Sequence, residues 1–154
     1  MPKQFWLVKS EPDVYSIDQL AKDGETGWEG VRNYQARNTL RDSMKAGDGV
    51  LFYHSSCDVP AIAGLAEVSR ESHPDPTQFD PKSEFFDAKS KRDAPTWMMV
   101  GLRFVKKLKQ PLTLEQLKKV PALSKMVLLQ RGSRLSVQPV RAEEWEAIQR
   151  ALSS

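Results

Sequence analysis

Residues 28–38 read Trp28-Glu29-Gly30-Val31-Arg32-Asn33-Tyr34-Gln35-Ala36-Arg37-Asn38, a combination that suits a binding loop better than a hydrophobic core. Trp and Tyr present flat apolar faces with a polar tip. Asn carries both a donor and an acceptor, and Arg offers a fixed fork of donors for phosphate or carboxylate. Gly30 allows the backbone to come close to a bound molecule. We therefore interpret the rest of the chain as a small β-rich body that holds this loop beside a pocket. The alternative is that Trp28 and Tyr34 only close one end of a barrel.

The segments on either side of this loop predict strands and short helices. Continuous or alternating apolar runs indicate strands, whereas Ser16 and Thr113, each followed three residues later by Gln, indicate helix starts. The polar, proline-rich stretch 72–93 predicts a long loop, and such loops in compact domains are often functional. The predicted strands are 3–8, 50–54, 60–68, 97–106 and 135–140, and the predicted helices are 16–22, 34–45, 113–120, 123–130 and 143–152. This order predicts an α+β fold.

Composition and charge favour one globular domain over residues 1–154. Of the 154 residues, 40% are hydrophobic and 28% are charged, as in ordinary globular proteins. The net charge of +3 permits nucleic-acid binding without requiring it. No apolar run is long enough to cross a bilayer, so no membrane partner is predicted. The single cysteine, Cys57, excludes an internal disulfide and favours a cytoplasmic location, or a nuclear one in a eukaryote.

Residue types argue against several kinds of catalytic or cofactor site. Two His and one Cys give no zinc-binding spacing, so no metal is predicted. No phosphate-binding or dinucleotide-binding glycine motif is present, so no cofactor is predicted. A small hydrolase that uses His54 with Asp58 and Ser55 or Ser56 is an alternative, although no nucleophile elbow surrounds these serines. We therefore predict a binding protein and not an enzyme.

Aromatic residues at strand ends and in loops, with polar and cationic neighbours, point to a base-binding pocket. A base stacks on an aromatic ring while polar groups bind its edge and Arg binds the phosphates. Trp6 and Trp145 fall within a strand and a helical apolar stripe, so we predict that both belong to the core. Trp28 and Trp97 border loops and are the better pocket candidates.

Four motifs, in this order along nearly the whole chain, resemble the EVE domain family. They are Trp6-Leu7-Val8-Lys9-Ser10-Glu11-Pro12, the stretch 28–38 quoted above, Phe52-Tyr53-His54-Ser55, and Arg131-Gly132-Ser133-Arg134-Leu135-Ser136-Val137-Gln138-Pro139-Val140. The resemblance implies a PUA-like mixed β-barrel with several short helices packed around it. It also implies kinship with YTH domains, which hold a methylated adenine in an aromatic cage.

The resemblance further implies a non-enzymatic reader of modified bases, with methylated or hydroxymethylated cytosine in DNA, or modified RNA, as candidate partners. In this interpretation Trp28 and Trp97 form the cage walls. A small metabolite in the same pocket is the alternative, and a monomer is the default. The predicted base-pocket residues are Trp28, Trp97, Asn33, Ser10, Tyr34 and Ser55, and the predicted phosphate-binding residues are Lys9, Arg32, Arg37, Arg131 and Arg134.

Overall fold

A computed structural model of the chain describes residues 3–130 and 135–153 and contains one mixed sheet with helices on both faces. Short 3₁₀ turns complete the connections at Pro76–Phe79, Pro121–Leu123 and Val127–Leu129. The strands β1 to β6 are Phe5–Ser10, Glu25–Gly27, Gly49–His54, Ala61–Pro74, Met98–Thr113 and Val137–Val140, and the helices α1 to α4 are Ile17–Asp23, Tyr34–Asp42, Leu114–Lys118 and Ala142–Ser153.

The sheet has the order β2-β5-β4-β3-β1-β6. The β1–β3 pair is parallel and the other neighbouring pairs are antiparallel. The predicted α+β class is therefore confirmed. Among the described residues the sheet does not close into the barrel that was expected, because β2 and β6 lie at opposite edges and each pairs with one neighbour only.

Apolar residues of β1 explain why the sheet is covered on both faces. Trp6 and Val8 pack into one hydrophobic cluster with α1 and α2, whereas Leu7 packs into a second cluster with α3 and α4. Successive strand residues point to opposite faces, so a continuous apolar run is what a doubly covered strand requires. The indole N–H of Trp6 donates to Asp48 Oδ2 at 2.9 Å, which confirms a core position for this tryptophan.

Helix starts that depend on neighbouring residues match their predictions closely. Ser16 Oγ accepts from the backbone N–H of Gln19 at the start of α1, and Gly24 ends that helix at a φ of 79°. Thr113 forms the full capping box at α3. None of the helices in the described ranges is long and apolar enough to cross a membrane.

Several element boundaries differ from the predictions because they depend on distant partners. β4 and β5 run on to Pro74 and Thr113 as a long hairpin, with several register shifts that admit extra residues. β2 was not predicted, since its three residues become a strand only by pairing with β5. The predicted helix 123–130 is not formed; its residues span the end of the 3₁₀ turn Pro121–Leu123, a further turn, and the 3₁₀ turn Val127–Leu129.

Candidate functional site

A cleft of about 540 Å³ opens where β1 ends, between the segment that leads into α1 and residues 26–32. Polar and apolar groups alternate around its wall, and Phe85 from the long loop closes one side. Its lining residues are Lys9, Ser10, Glu11, Val14, Tyr15, Thr26, Gly27, Trp28, Glu29, Gly30, Val31, Arg32, Phe85 and Ser136.

Trp28 supplies an aromatic wall of this cleft, together with Tyr15 and Phe85, and its role in base binding stays a prediction. The side chain is half-buried and packs edge-to-face against Phe52, at 5.6 Å between ring centroids, and against Tyr15 at 6.3 Å. Its backbone N–H donates to the Val100 carbonyl at 2.8 Å. These contacts fix the orientation of the indole before any ligand binds.

Asp75 holds the other side of the cleft in place. This fully buried carboxylate accepts from the backbone N–H of Gly30 at 2.7 Å and from Arg32 Nη1 at 3.0 Å. Its second oxygen accepts from the N–H and hydroxyl of Thr77 at 2.8 and 2.5 Å. Burial alone would raise the pKa of Asp75, but the hydrogen bonds from Thr77, Gly30 and Arg32 outweigh it and lower the pKa below its usual value. Asp75 was not among the predicted site residues, although Asp75-Pro76-Thr77 is a typical capping sequence.

Trp97 does not line the cleft, so the two indoles do not face each other across it as predicted. Only 6% of Trp97 is exposed. Its indole N–H donates to Asp87 at 2.8 Å, and its backbone N–H and carbonyl both bond to the fully buried amide of Gln78. One ring face stacks on Tyr34, with centroids 5.0 Å apart. Trp97 therefore belongs to the internal packing of the long loop, behind the cleft wall.

Arg32 supports this wall and has no donors left for phosphate in this arrangement. Besides Asp75, its guanidinium donates to the Phe85 carbonyl at 3.1 and 2.7 Å, to Thr77 Oγ1 at 3.0 Å and to the Val31 carbonyl at 3.0 Å. The guanidinium carbon also lies 5.2 Å from the Trp97 ring centroid and 5.4 Å from that of Phe85. Arg37 is similarly engaged, with the Thr96 carbonyl and the Asn38 side chain. The predicted phosphate contact of Arg32 does not fit this geometry, whereas that of Arg37 stays a prediction.

Three predicted base-pocket residues lie outside the cleft: Asn33 and Tyr34, because the chain enters α2 directly after Arg32, and Ser55, which follows β3. Asn33 Oδ1 caps this helix by accepting from the Ala36 N–H at 2.9 Å. Tyr34 is 61% exposed and stacks on Trp97. Ser55 approaches β1 through its backbone, whose N–H donates to the Ser10 carbonyl at 2.9 Å.

Lys9 and Ser10 do line the cleft, as expected from the end of β1. The Ser10 hydroxyl is buried and donates to the Tyr15 carbonyl at 2.5 Å, so its lone pairs are the part left for a ligand. Lys9 has no ion-pair partner among residues 3–130 and 135–153, and burial lowers the pKa of its ammonium. Predicted phosphate ligands Arg131 and Arg134 lie outside the described residues.

Glu29 is a cleft residue that was quoted in the opening motif but given no role. The side chain is exposed, yet burial raises the pKa of its carboxyl, with a further rise from Asp75 and an opposing effect of Arg32. Tyr15, Phe85 and Ser136 were likewise missed. Their positions depend on long-range packing, which leaves no local signal in the sequence.

His54 has a structural explanation in this fold. Its Nε2 accepts from the backbone N–H of Ile17, the first residue of α1, at 3.1 Å. Burial lowers the pKa of the imidazole. The bonded partner is therefore a helix end instead of the hydroxyl of Ser55 or Ser56 that the hydrolase alternative needs. Within the described parts of the chain, no group of three His, Cys, Asp or Glu side chains is arranged to hold a metal ion.

Comparison with known families gives the cleft its context. The EVE domain matches residues 4–151. This chain belongs to the EVE domain family. The resemblance seen in the four motifs is thereby confirmed.

EVE relatives from animals and bacteria share both sequence and fold with this chain. Human thymocyte nuclear protein 1 is 41% identical over 162 residues, which cover 93% of this chain and 71% of that protein. A crystal structure of a Pseudomonas syringae protein is 47% identical, covers 96% of this chain and 99% of its own, and superposes with a TM-score of 0.92. The human THYN1 protein in complex with 5-methylcytosine-containing DNA is 40% identical, with 99% of both chains covered and a TM-score of 0.92.

The names of the vertebrate EVE relatives describe nuclear proteins. This agrees with the nuclear alternative for a eukaryotic protein, and no comparison supports the cytoplasmic location expected from the single cysteine. The single-domain organisation over residues 1–154 and the monomeric state stay predictions.

Proposed function

We propose that this EVE domain binds DNA carrying a modified cytosine, with 5-methylcytosine as the first candidate, and acts by binding without catalysis. The observation that carries the proposal is the close match of the whole chain to a human structure that contains such DNA. The cleft beside Trp28 is the place where the modified base would lie.

The dimensions and chemistry of the cleft support this proposal. Its volume of about 540 Å³ falls within the range of about 300–1,000 Å³ that small-ligand sites occupy, so one flipped base fits. A base inside a duplex is reached by rotating it out of the stack. Trp28 would stack on the extruded ring, the lone pairs of Ser10 would face its edge, and Lys9 would meet a neighbouring phosphate.

The other predicted residues would contribute indirectly. Arg32 and Trp97 hold Phe85 and the long loop against the cleft, and Asn33 fixes the start of α2 immediately after it. Arg131 and Arg134 stay candidates for phosphate binding on the evidence of the motif alone. The methyl group itself adds about 0.8 kcal/mol through burial, so preference over unmodified cytosine depends on shape as well.

The test is a titration of wild-type protein and Trp28→Ala against duplexes with one central 5-methylcytosine or cytosine. Loss of a stacking aromatic costs about 1–3 kcal/mol of binding, so Trp28→Ala should bind the methylated duplex about 5- to 150-fold more weakly. Trp145→Phe is the matched control, since Trp145 stacks on Phe5 in the other hydrophobic cluster. Melting curves establish that each variant is folded.

Unchanged affinity in a folded Trp28→Ala variant would show that the base does not lie in this cleft. Equal affinity for methylated and unmodified duplexes would remove the modified base from the proposal. RNA of the same sequence serves as a further probe. If neither DNA nor RNA bound at any salt concentration, a small metabolite would become the favoured ligand of the cleft.

A further inference from the structure

Glu29 poses a chemical problem for a cleft that binds DNA, because a carboxylate repels phosphate. Across residues 3–130 and 135–153, its carboxylate takes part in none of the hydrogen bonds or ion pairs found, whereas the nearby Asp75 accepts four. Partial burial and the charge of Asp75 disfavour the ionised form of Glu29 and therefore raise the pKa of its carboxyl. Glu29 is thus an exposed acceptor in the cleft that has no protein donor among the described residues.

Recognition of 5-methylcytosine raises a specificity problem that an aromatic wall does not solve. Thymine has the same ring size and the same methyl group as 5-methylcytosine. Stacking on Trp28 and burial of the methyl group therefore contribute similar binding free energy for the two bases. The bases differ at position 4, where cytosine carries an amine donor and thymine a carbonyl acceptor. A carboxylate accepts from the cytosine amine and repels the thymine oxygen.

Three other polar side chains of the cleft are less suited to this distinction. Lys9 has only donors, and Arg32 is engaged with Asp75, Thr77 and Phe85. The Ser10 hydroxyl donates to Tyr15 and keeps neutral lone pairs, which form a weaker hydrogen bond to an amine than a carboxylate does. Glu29 follows the stacking residue Trp28 directly in sequence, and both residues line the cleft.

We propose that the Glu29 carboxylate accepts a hydrogen bond from the exocyclic amine of the base held against Trp28, and thereby selects 5-methylcytosine over thymine. This inference rests on the proposed function and names the group that sets its base specificity. Asp and Glu side chains are known acceptors of the cytosine amine in protein–DNA interfaces.

The experiment compares wild type, Glu29→Gln, Glu29→Ala and Glu146→Gln against DNA with one central test base placed opposite an abasic site. In this design 5-methylcytosine, cytosine and thymine are all unpaired, so that affinity reports recognition in the cleft. Glu146 is exposed on α4 and does not line the cleft, which makes Glu146→Gln the control for a lost negative charge.

Wild type and Glu146→Gln should bind the 5-methylcytosine probe about tenfold more tightly than the thymine probe. In Glu29→Gln this ratio should fall close to one, because an amide also donates to the thymine oxygen. Glu29→Ala should lose affinity for 5-methylcytosine and bind thymine at least as tightly as wild type does, because the repulsion is removed.

A ratio that is unchanged in both Glu29 variants would overturn the inference. The proposed function would stand in that case, provided that wild type still prefers 5-methylcytosine to cytosine and still needs Trp28. Failure of wild type to bind the 5-methylcytosine probe would overturn both proposals together.

Discussion

His54 is a residue whose charge state decides whether a helix keeps its cap. Only a neutral imidazole accepts a hydrogen bond, and Nε2 accepts from Ile17 at 3.1 Å. Burial lowers the pKa of His54, while smaller effects of Asp18 and Lys107 oppose each other. In the unfolded chain the pKa of His54 is near 6.5. Below that pH the unfolded chain therefore binds more protons than the folded chain does. The stabilisation is fully present above about pH 6.5 and is lost as the pH falls towards the lower folded pKa.

We expect the free energy of unfolding to decrease between pH 7.5 and 5.5 in wild type, and this decrease to be smaller in His54→Gln, because the amide oxygen accepts the same bond without titrating. Urea denaturation at several pH values measures the effect. His73→Gln is the control, since the His73 ring is hydrogen-bonded to the Glu71 carbonyl near the surface. Identical pH profiles for wild type and His54→Gln would contradict this account.

Gly30 combines two requirements in one residue. Its φ of 82° lies in the left-handed region, and an added Cβ would approach the Phe85 ring to 2.7 Å. Gly47 shares the positive φ, at 93°, but has open space around the added atom. A side chain in this conformation costs about 1–2 kcal/mol. We expect Gly30→Ala to lose about 1 kcal/mol more stability than Gly47→Ala, and to weaken DNA binding as Phe85 moves.

Thermal unfolding of the two glycine variants separates backbone strain from the clash with Phe85. DNA titration then shows whether the cleft wall has shifted, since Gly47→Ala should bind like wild type. Equal losses of stability in both variants would mean that the Phe85 ring moves aside without loss of stability. The contact between Gly30 and Phe85 would then not determine the shape of the cleft.

At the scale of elements, Asp75 joins the loop after β4 to the segment that follows Trp28. Removal of its charge in Asp75→Asn leaves Arg32 without an ion-pair partner and disturbs bonds to Gly30 and Thr77. Loss of hydrogen bonds to a buried charged group costs about 2 kcal/mol. We expect Asp75→Asn to be less stable by this amount and to bind methylated DNA more weakly, because both sides of the cleft loosen.

Asp80→Asn is the matched control for this loop, since the exposed Asp80 carboxylate accepts from the nearby Lys82 backbone N–H at 2.9 Å. Chemical denaturation gives the stability difference and a binding titration the affinity. A stable Asp75→Asn variant with wild-type affinity would show that the 28–32 segment keeps its shape without this clamp.

Helices and strands were predictable from the sequence where interactions between residues near in the chain determine them. The capping residues Ser16 and Thr113 and the apolar run of β1 act through near neighbours, and their elements formed as predicted. The second half of β5 carries lysines at an exposed sheet edge, where strand formation depends on pairing with β4 and not on apolar alternation. The same distinction holds at the site, where Trp97 is positioned by Gln78, nineteen residues away in the chain.

At the scale of the whole molecule, a net charge of only +3 makes DNA affinity depend on where cations lie. Lys9 lines the cleft without an ion-pair partner among the described residues. Lys45 lies in a separate depression together with Asp42, Asp48 and Glu71. Each phosphate that a protein neutralises on duplex DNA contributes about 0.9 to the slope of log affinity against log salt concentration.

We therefore expect Lys9→Gln to weaken binding to methylated and unmethylated duplexes by similar factors and to reduce the salt slope by about one. Lys45→Gln should leave the slope unchanged, because its depression shares no residue with the cleft. Titrations at four salt concentrations with both duplexes measure these slopes. If Lys9→Gln lowered affinity only for the methylated duplex, without a change in slope, Lys9 would contact the base itself, and the phosphates would have to be bound elsewhere on the molecule.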